Sequence, residues 1–559
     1  MSKSQRGKYS HYLSMFLIIG LVSVVAIAAL TATGGQTRNL LGQVSGTLSS
    51  TGSGSCAPYN QPLRELSKSY VDKLTRMTPG ERSRLKVALQ NFALHEQKEE
   101  SIAADNDHFV SYGVNPFVET KKDKLSTFAI DVDTASYTVM RNYINRSGNL
   151  PPQNSVRVEE YVNYFDYEYA APEKETFAIH AEAAPSPYRK NHLLLRLGIK
   201  GREVEKANRR PLCLTFVVDI SGSMSSRKRL PLVRKSLAML VDELQEGDKV
   251  GIAVYGSRGR VYLDYVDAEQ KTKIKNAIAR LHTEGATNAE EGLVVGYQMA
   301  ARSVSEDRDS RVILCSDGVA NVGRRGPKAI LAQIKENADK GIYLTTVGFG
   351  MGSYNDRMME QLANKGNGVY AYIDSYKEAK RLFVEKLTGT MLTIAKDAKI
   401  QVEFSEENVR RYRLLGYENR DLADKDFRND AVDAGEVGAG HSVTALYELE
   451  LTDTLKANLG TVRVRYQAPR GTRVTEVQEH ICTDCIKPSF AKASAEYRLA
   501  AVLSQYGEIL RKSEFAKGRT ISSLVEHIDK VASELKHDEQ VVEFCNLVKK
   551  AAQRELRVD

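Results

Sequence analysis

The sequence predicts an α/β fold: a doubly wound, mostly parallel sheet inserted between β-rich flanks that pair into a β-sandwich, with helical segments toward both termini. Three observations carry this. Between residues 210 and 390, apolar runs at 212–218, 250–255, 261–265, 312–315, 342–347 and 369–373 alternate with helix-spaced segments at 231–244, 268–281, 289–303, 328–340, 356–365 and 377–393. That alternation belongs to a parallel sheet covered on both faces. On either side, runs at 128–130, 177–182, 193–197, 399–404, 443–451 and 461–467 alternate with a period of two and read as strands. Beyond residue 489, Tyr497, Ala501, Leu503, then Leu524 and Ile528, then Val541, Phe544 and Leu547 fall at helical spacing.

In chain order, residues 1–12 are basic, with Lys3, Arg6 and Lys8, and residues 13–32 carry no charge. A run of that length crosses a bilayer. Positive charge ahead of it places the amino terminus in the cytoplasm and the bulk of the chain outside, in the periplasm or on the cell surface. A signal peptide cleaved near Ala26-Ile27-Ala28 is the rival; the apolar run continues past that point, which favours an uncleaved membrane anchor, and either way the chain is exported. Cys56 lies too far beyond the run for a lipoprotein cysteine. Residues 33–60, rich in Gly, Ser and Thr, read as a flexible tether. Residues 61–105 hold two amphipathic helices (Leu63, Leu66, Tyr70, Leu74; then Leu85, Leu89, Phe92) broken at Thr78-Pro79-Gly80. There follow a β-rich region at 106–209 with one helix near 135–147, the α/β domain at 210–390, a second β-rich domain at 391–488, and a helical region at 489–559 that packs on the sandwich.

At 559 residues the chain exceeds one hydrophobic core, and length alone implies about three or four domains. A net charge of +8 is small beside 79 basic and 71 acidic residues, and no long basic block with interleaved aromatics follows residue 60, which argues against nucleic-acid binding. Six cysteines are too few for a disulfide scaffold. Cys213 and Cys315 sit in apolar strand runs as buried thiols; Cys482 and Cys485, after His480, are expected to form a short-range disulfide in preference to half a zinc site or a redox pair.

The chemistry concentrates in three segments. Asp219-Ile220-Ser221-Gly222-Ser223 follows an apolar run and sets one carboxylate and two hydroxyls on alternate positions of a strand-to-helix turn. Gly285-Ala286-Thr287-Asn288 precedes a helix-like run, and Ser316-Asp317-Gly318 ends a strand-like one. In an open parallel sheet such loops converge at the carboxyl ends of the strands. Asp219, Ser221, Ser223, Thr287 and Asp317 are therefore the candidates to surround one metal ion. Oxygen donors suit a hard divalent cation, Mg²⁺ or Mn²⁺, and hydroxyl ligands leave its charge under-neutralised, so that it still attracts a carboxylate from another molecule. Helix capping by Asp219 with the serines as turn residues would explain one segment; it does not explain three in this order.

These residues resemble the metal-ion-dependent adhesion site of von Willebrand factor type A domains, which have a Rossmann-like fold, and all five motif positions match. The resemblance implies Ser221, Ser223 and Thr287 as hydroxyl ligands, Asp219 and Asp317 holding the ion directly or through water, and a sixth position left for a partner's Asp or Glu. Phe117-Val118-Glu119-Thr120, Leu125-Ser126-Thr127-Phe128 with the residues that follow, and Arg157-Val158-Glu159-Glu160-Tyr161 are similar to the amino-terminal von Willebrand factor region of a bacterial family of exported proteins. Gly416-Tyr417-Glu418-Asn419-Arg420 and Ala439-Gly440-His441-Ser442 are similar to that family's uncharacterised carboxy-terminal domain. The similarity runs from about residue 115 to the end and implies an architecture more than an activity.

Asp131-Val132-Asp133-Thr134-Ala135 superficially matches the nucleophile loop of haloacid-dehalogenase phosphatases. Ala135 stands where that family wants Thr or Val, and helix capping by Asp133 or Thr134 is the plainer account. The acidic stretch 421–433 lacks the Gly and Glu that a calcium loop needs at its sixth and twelfth positions. What remains is an exported, membrane-tethered binding protein, with no catalytic residues and no small-molecule substrate, whose Mg²⁺ takes an Asp or Glu of a protein partner. Loops 257–260, 323–326 and 350–354, with Arg258, Arg260, Arg324 and Arg325, would favour an acidic face. A shift of helix 377–393 with ligation would pull on strand 399–404. The alternatives are a Mg²⁺-dependent phosphatase-like hydrolase using Asp131 and Asp133, and a metal-free envelope scaffold.

Overall fold

The computed structural model describes residue 109 and residues 111–558, apart from 131–132, 306, 319–326, 351–354, 431, 433, 454 and 470–472. The expected anchor at 13–32, the tether and the helices of 61–105 lie outside them; among the described residues no helix is long and apolar enough to cross a membrane.

Chain order begins with β1 (Val118–Glu119), β2 (Leu125–Ala129), α1 (Ala135–Asn142), α2 (Val158–Asn163), β3 (Phe177–Pro185) and β4 (Leu193–Gly201). The α/β domain follows as β5 (Leu212–Asp219), α3 (Leu230–Glu243), β6 (Lys249–Tyr255), β7 (Gly259–Asp267), α4 (Lys271–Ala279), α5 (Ala289–Ala301), β8 (Asp309–Ser316), α6 (Pro327–Asp339), β9 (Ile342–Phe349), α7 (Asp356–Lys365), β10 (Tyr370–Ile373), α8 (Tyr376–Lys380) and α9 (Leu387–Met391). It leads into β11 (Thr393–Phe404), β12 (Val409–Leu415), β13 (Gly435–Gly438), β14 (Ser442–Leu451), β15 (Asn458–Gln467) and β16 (Val474–Cys482), then α10 (Ala495–Leu510), α11 (Val525–Glu534) and α12 (Glu539–Val558).

The α/β sheet has the order β10-β9-β8-β5-β6-β7, parallel throughout except for β7, which closes one edge antiparallel to β6. Every residue of β5 is buried because helices cover both faces, which is why its sequence is a nearly continuous apolar run; the edge strand β7 is mostly part-exposed or exposed. The flanks pair with each other across the inserted domain. β2 pairs with β11, matching Phe128 to Ile400, and β4 pairs with β14, matching Leu197 to Ala445. Two antiparallel sheets result, β1-β12-β14-β4-β3 and β13-β11-β15-β16 with β2 added to β11. Phe404 of one sheet lies 4.5 Å from the Tyr412 ring and 5.2 Å from the Tyr447 ring of the other, so the predicted sandwich is present.

α10, α11 and α12 share a second core with α1 and α2, in which Tyr137, Tyr161, Tyr164, Phe165, Tyr506 and Phe544 meet. This core seats on the sandwich through Leu194, Leu415 and Leu446, and the Tyr497 hydroxyl donates to the Leu194 carbonyl at 2.6 Å. Buried arginines bind the blocks together. Arg141 reaches Asp374 and Glu378 of the α/β domain, each at 2.7 Å, and Glu543 of α12 at 3.3 Å. Arg157 reaches Asp356 at 2.6 Å and Glu360 at 3.0 Å.

Several local expectations change. The helix expected over 377–393 is broken: α8 gives way to a π-helical turn over Arg381–Glu385, α9 is short, and Thr393 already belongs to β11, paired with Gly438 of β13. Tertiary strand pairing outweighs local helix propensity there. Helix α2 and strand β12 went unanticipated as elements. Thr134 stands at the N-cap of α1 without a side-chain cap bond; the Ser136 N–H is taken instead by Glu160 of α2, at 2.8 Å. Cys482 and Cys485 are free thiols, not a disulfide. The Cys482 side chain is exposed at the end of β16, whereas Cys485 packs toward the sandwich core, and its thiol is pushed up to about 11 by burial and by Cys482.

Candidate metal centre

β5 ends at Asp219, on the carboxyl edge of the parallel sheet, where its neighbour β8 ends at Ser316. The chain then turns back on itself: the Ser221 N–H donates to Asp219 Oδ1 at 2.9 Å, an Asx-type turn, and the Ser221 and Ser223 hydroxyl oxygens stand 3.0 Å apart. The second segment is tied to the first through backbone. The Gly222 N–H donates to the Gly285 carbonyl at 3.1 Å and the Glu284 N–H to the Ile220 carbonyl at 2.6 Å, which brings the Thr287 loop against the Asp219 turn. Asn288 then caps α5, its side chain accepting from the Glu291 N–H.

Helix α5 can sit this close to the sheet because it carries glycine where it crosses. A Cβ on Gly296 would lie 2.3 Å from Val217 Cγ2, and one on Gly292 would lie 2.3 Å from the Tyr255 ring. Asp317 directly follows β8 and completes the arrangement.

The electrostatics are those of two carboxylates sharing a dry place. Asp219 is fully buried, and its carboxyl is pushed up to about 6 by burial, with the Asp317 charge adding to it, against the hydrogen bonds from Ser221 and Ser316. Burial also raises the Asp317 carboxyl, opposed by Arg229 and the Ser223 hydroxyl. Arg229 stands 2.7 Å from Asp317 Oδ2 and also donates to the Ser223 carbonyl at 2.8 Å. Two buried acids flanked by hydroxyl oxygens, with one arginine for company, fit a hard divalent cation: the donors are all oxygen, and the ion's charge would offset the burial and the Asp317 charge that raise Asp219.

The structure therefore brings Asp219, Ser221, Ser223 and Asp317 together and sets the Thr287 loop beside them. Two participants were not anticipated. Ser316 donates its hydroxyl to Asp219 Oδ2 at 3.0 Å, and Arg229 holds Asp317. The basic run Arg227-Lys228-Arg229 just ahead of α3 is the cue for the second. Around the centre, Arg258 and Arg260 are exposed and Arg260 pairs with Glu284; loop 323–326, with Arg324 and Arg325, and residues 351–354 lie outside the described residues. Of the phosphatase-like pair, Asp131 lies outside them too, and Asp133 is engaged structurally, accepting from the Tyr370 N–H and from Arg420, both at 2.9 Å.

Comparison with known proteins gives three adjoining family matches. Residues 103–196 match the family model described as von Willebrand factor, residues 214–385 that of the von Willebrand factor type A domain, and residues 389–554 that of the carboxy-terminal region of the uncharacterized protein YfbK. The uncharacterized protein YfbK of Escherichia coli is 35% identical over 428 residues, which span 72% of this chain and 73% of that one. Among solved structures, a von Willebrand factor type A protein from Catenulispora acidiphila covers 67% of this chain and 90% of its own at 16% identity and a TM-score of 0.40. Proximal thread matrix protein 1 from the mussel byssus, solved with a zinc-occupied adhesion-site motif, covers 32% of this chain and 44% of its own at 20% identity and a TM-score of 0.27.

Proposed function

Because the chain belongs to the family of von Willebrand factor type A proteins that includes YfbK, whose fold is a metal-dependent adhesion and protein-interaction fold, we propose that it is a binding protein whose metal centre is the point of contact. Asp219, Ser221, Ser223, Thr287 and Asp317 would hold Mg²⁺ or Mn²⁺, and an Asp or Glu of a protein partner would take the remaining position. The observation that carries this is the gathering of two buried carboxylates and two hydroxyls at the carboxyl edge of the parallel sheet. The bound ion supplies a Lewis-acidic seat for a carboxylate; the chain positions that seat and keeps it under-neutralised. Export and tethering through residues 13–32 belong to the same proposal and rest on the sequence pattern alone.

Calorimetric titration of Mg²⁺ and Mn²⁺ into the protein tests the centre. The native chain should bind one ion, and Asp219→Ala and Asp317→Ala should each lose at least tenfold in affinity while staying folded. Equal affinity in all three proteins would remove the centre and leave a metal-free scaffold. The partner chemistry is tested by fluorescence polarisation with a short peptide carrying a central Asp beside the same peptide with Asn. Binding of the Asp peptide only in the presence of Mg²⁺ is expected; equal binding of both peptides would sink the acidic-partner reading.

A further inference from the structure

We propose that the cavity between the end of the α/β domain and the sandwich binds a compact oxyanion, a small molecule bearing phosphate or carboxylate groups. The cavity measures about 300 Å³, the lower end of the range for small-molecule sites. One wall is the π-helical turn and α9, the other is β4 with the turn joining β13 to β14.

Charge is sorted by depth. Lys200 and Arg381 line it at 7% and 4% exposure, with Lys386 and His441 beside them, while the lining acids Glu203, Glu385 and Asp166 are exposed. Lys200 and Arg381 already have partners: Lys200 donates to the Gly440 carbonyl at 2.8 Å, and Arg381 binds Glu378 at 2.7 Å. Lys386 differs. Among the described residues no carboxylate lies within ion-pair distance of its Nζ and no hydrogen bond is made by it, and His441 Nδ1 likewise has no partner.

Lys386 is half-buried, and Asp166 and Glu378 act on it without touching it, so an anion entering the cavity would gain a direct charge-assisted contact with its Nζ. Burial, with Arg381 and Lys200 adding to it and Asp166 and Glu378 opposing it, pushes the Lys386 ammonium down to about 8; burial and then Lys386, Arg381, Lys200 and Arg311 hold His441 down to about 3, so it is a neutral imidazole in a positive field. The wall is built to close tolerance. A Cβ on Gly389 would lie 2.3 Å from His441 Cδ2 and Nε2, so α9 can press against this turn only with glycine there. The Thr390 and Ser442 hydroxyls line the same space and add donors suited to an oxyanion.

The test is calorimetric titration of the full chain with inorganic phosphate and with citrate, at constant ionic strength and without Mg²⁺, so that no metal can recruit the anion elsewhere. Saturable binding of at least one probe is expected, weakened tenfold or more in Lys386→Met and unchanged in Lys340→Met, which alters an exposed lysine elsewhere. Phosphate binding without citrate binding assigns the phosphate source, and the reverse assigns the carboxylate source. If Lys386→Met fails to fold, Lys386→Gln takes its place. Absence of saturable binding with either probe, or equal affinity in a folded Lys386 variant, would overturn the proposal.

Discussion

Glu378 is buried, and burial by itself would push its carboxyl up, yet Arg381, Arg141 and the Tyr164 hydroxyl hold it down to about 2. Its folded-state value is below the ordinary 4.5, so the stability it contributes is fully present above that value and is lost as pH falls through the folded one. Glu378→Gln should remove about 3 kcal/mol at neutral pH, because Arg141 and Arg381 lose a shared counter-charge in a buried setting. The gap to the native protein should narrow as pH falls from 4.5 toward 2. Urea unfolding across that range checks it, and a constant gap would mean that packing and not charge is lost. The residue scale is also where the candidate metal centre was most legible: Asp219, Ser221, Ser223 and Asp317 stand out because metal ligation would need those atoms on one turn and one strand end. Arg229 did not: the basic run Arg227-Lys228-Arg229 marks the loop, but nothing in it tells which of the three reaches Asp317.

Helix α5 illustrates how an element places a loop. Its glycines at 292 and 296 let it lie against β5 and β6, and its N-terminus then fixes where Thr287 stands. Gly296→Ala would push a methyl into Val217 and should cost about 1–3 kcal/mol in denaturant unfolding, as overpacking does. It should also weaken Mg²⁺ binding several-fold by lifting the Thr287 loop from the Asp219 turn; calorimetry checks the second effect, and loss of stability with unchanged metal affinity would uncouple Thr287 from the centre. The end of the α/β domain teaches a different lesson. Its apolar spacing reads as one helix, but the chain must change from helix to strand at Thr393, and the π-helical turn and the short α9 are how it does so.

At the scale of the molecule, the α/β domain is joined to the sandwich by two short crossings, one into β5 from β4 and the other directly from α9 into β11. β11 is paired on both sides within its sheet. Displacement of α9 would therefore load a central strand and not a loop. If metal and an acidic ligand shift that helix, amide exchange over Arg381–Met391 should change by several-fold on adding Mg²⁺ with the Asp peptide, with β11 following. Unchanged protection in both segments would remove the idea of a conformational signal. The buried Arg141 cluster holds α8 through Glu378 and the Arg157 cluster holds α7 through Asp356 and Glu360, so any such motion is confined to the segment beyond α8.

The sequence by itself determined the fold class, the parallel sheet and the four candidate metal-ligating residues that meet at its edge, because hydrophobic period and motif spacing are local properties. It also determined that strands lie on both sides of the inserted domain. Only the tertiary structure decided which strands pair, since Phe128 meets Ile400 and Leu197 meets Ala445 across some 250 residues, and no short-range pattern encodes such partners. It alone decided the break in the last helix, the two free thiols at Cys482 and Cys485, and the engagement of Asp133 by Tyr370 and Arg420. The cationic cavity belongs wholly to that second group: Lys200, Lys386 and His441 come from three distant segments and line one space only once they have been folded together.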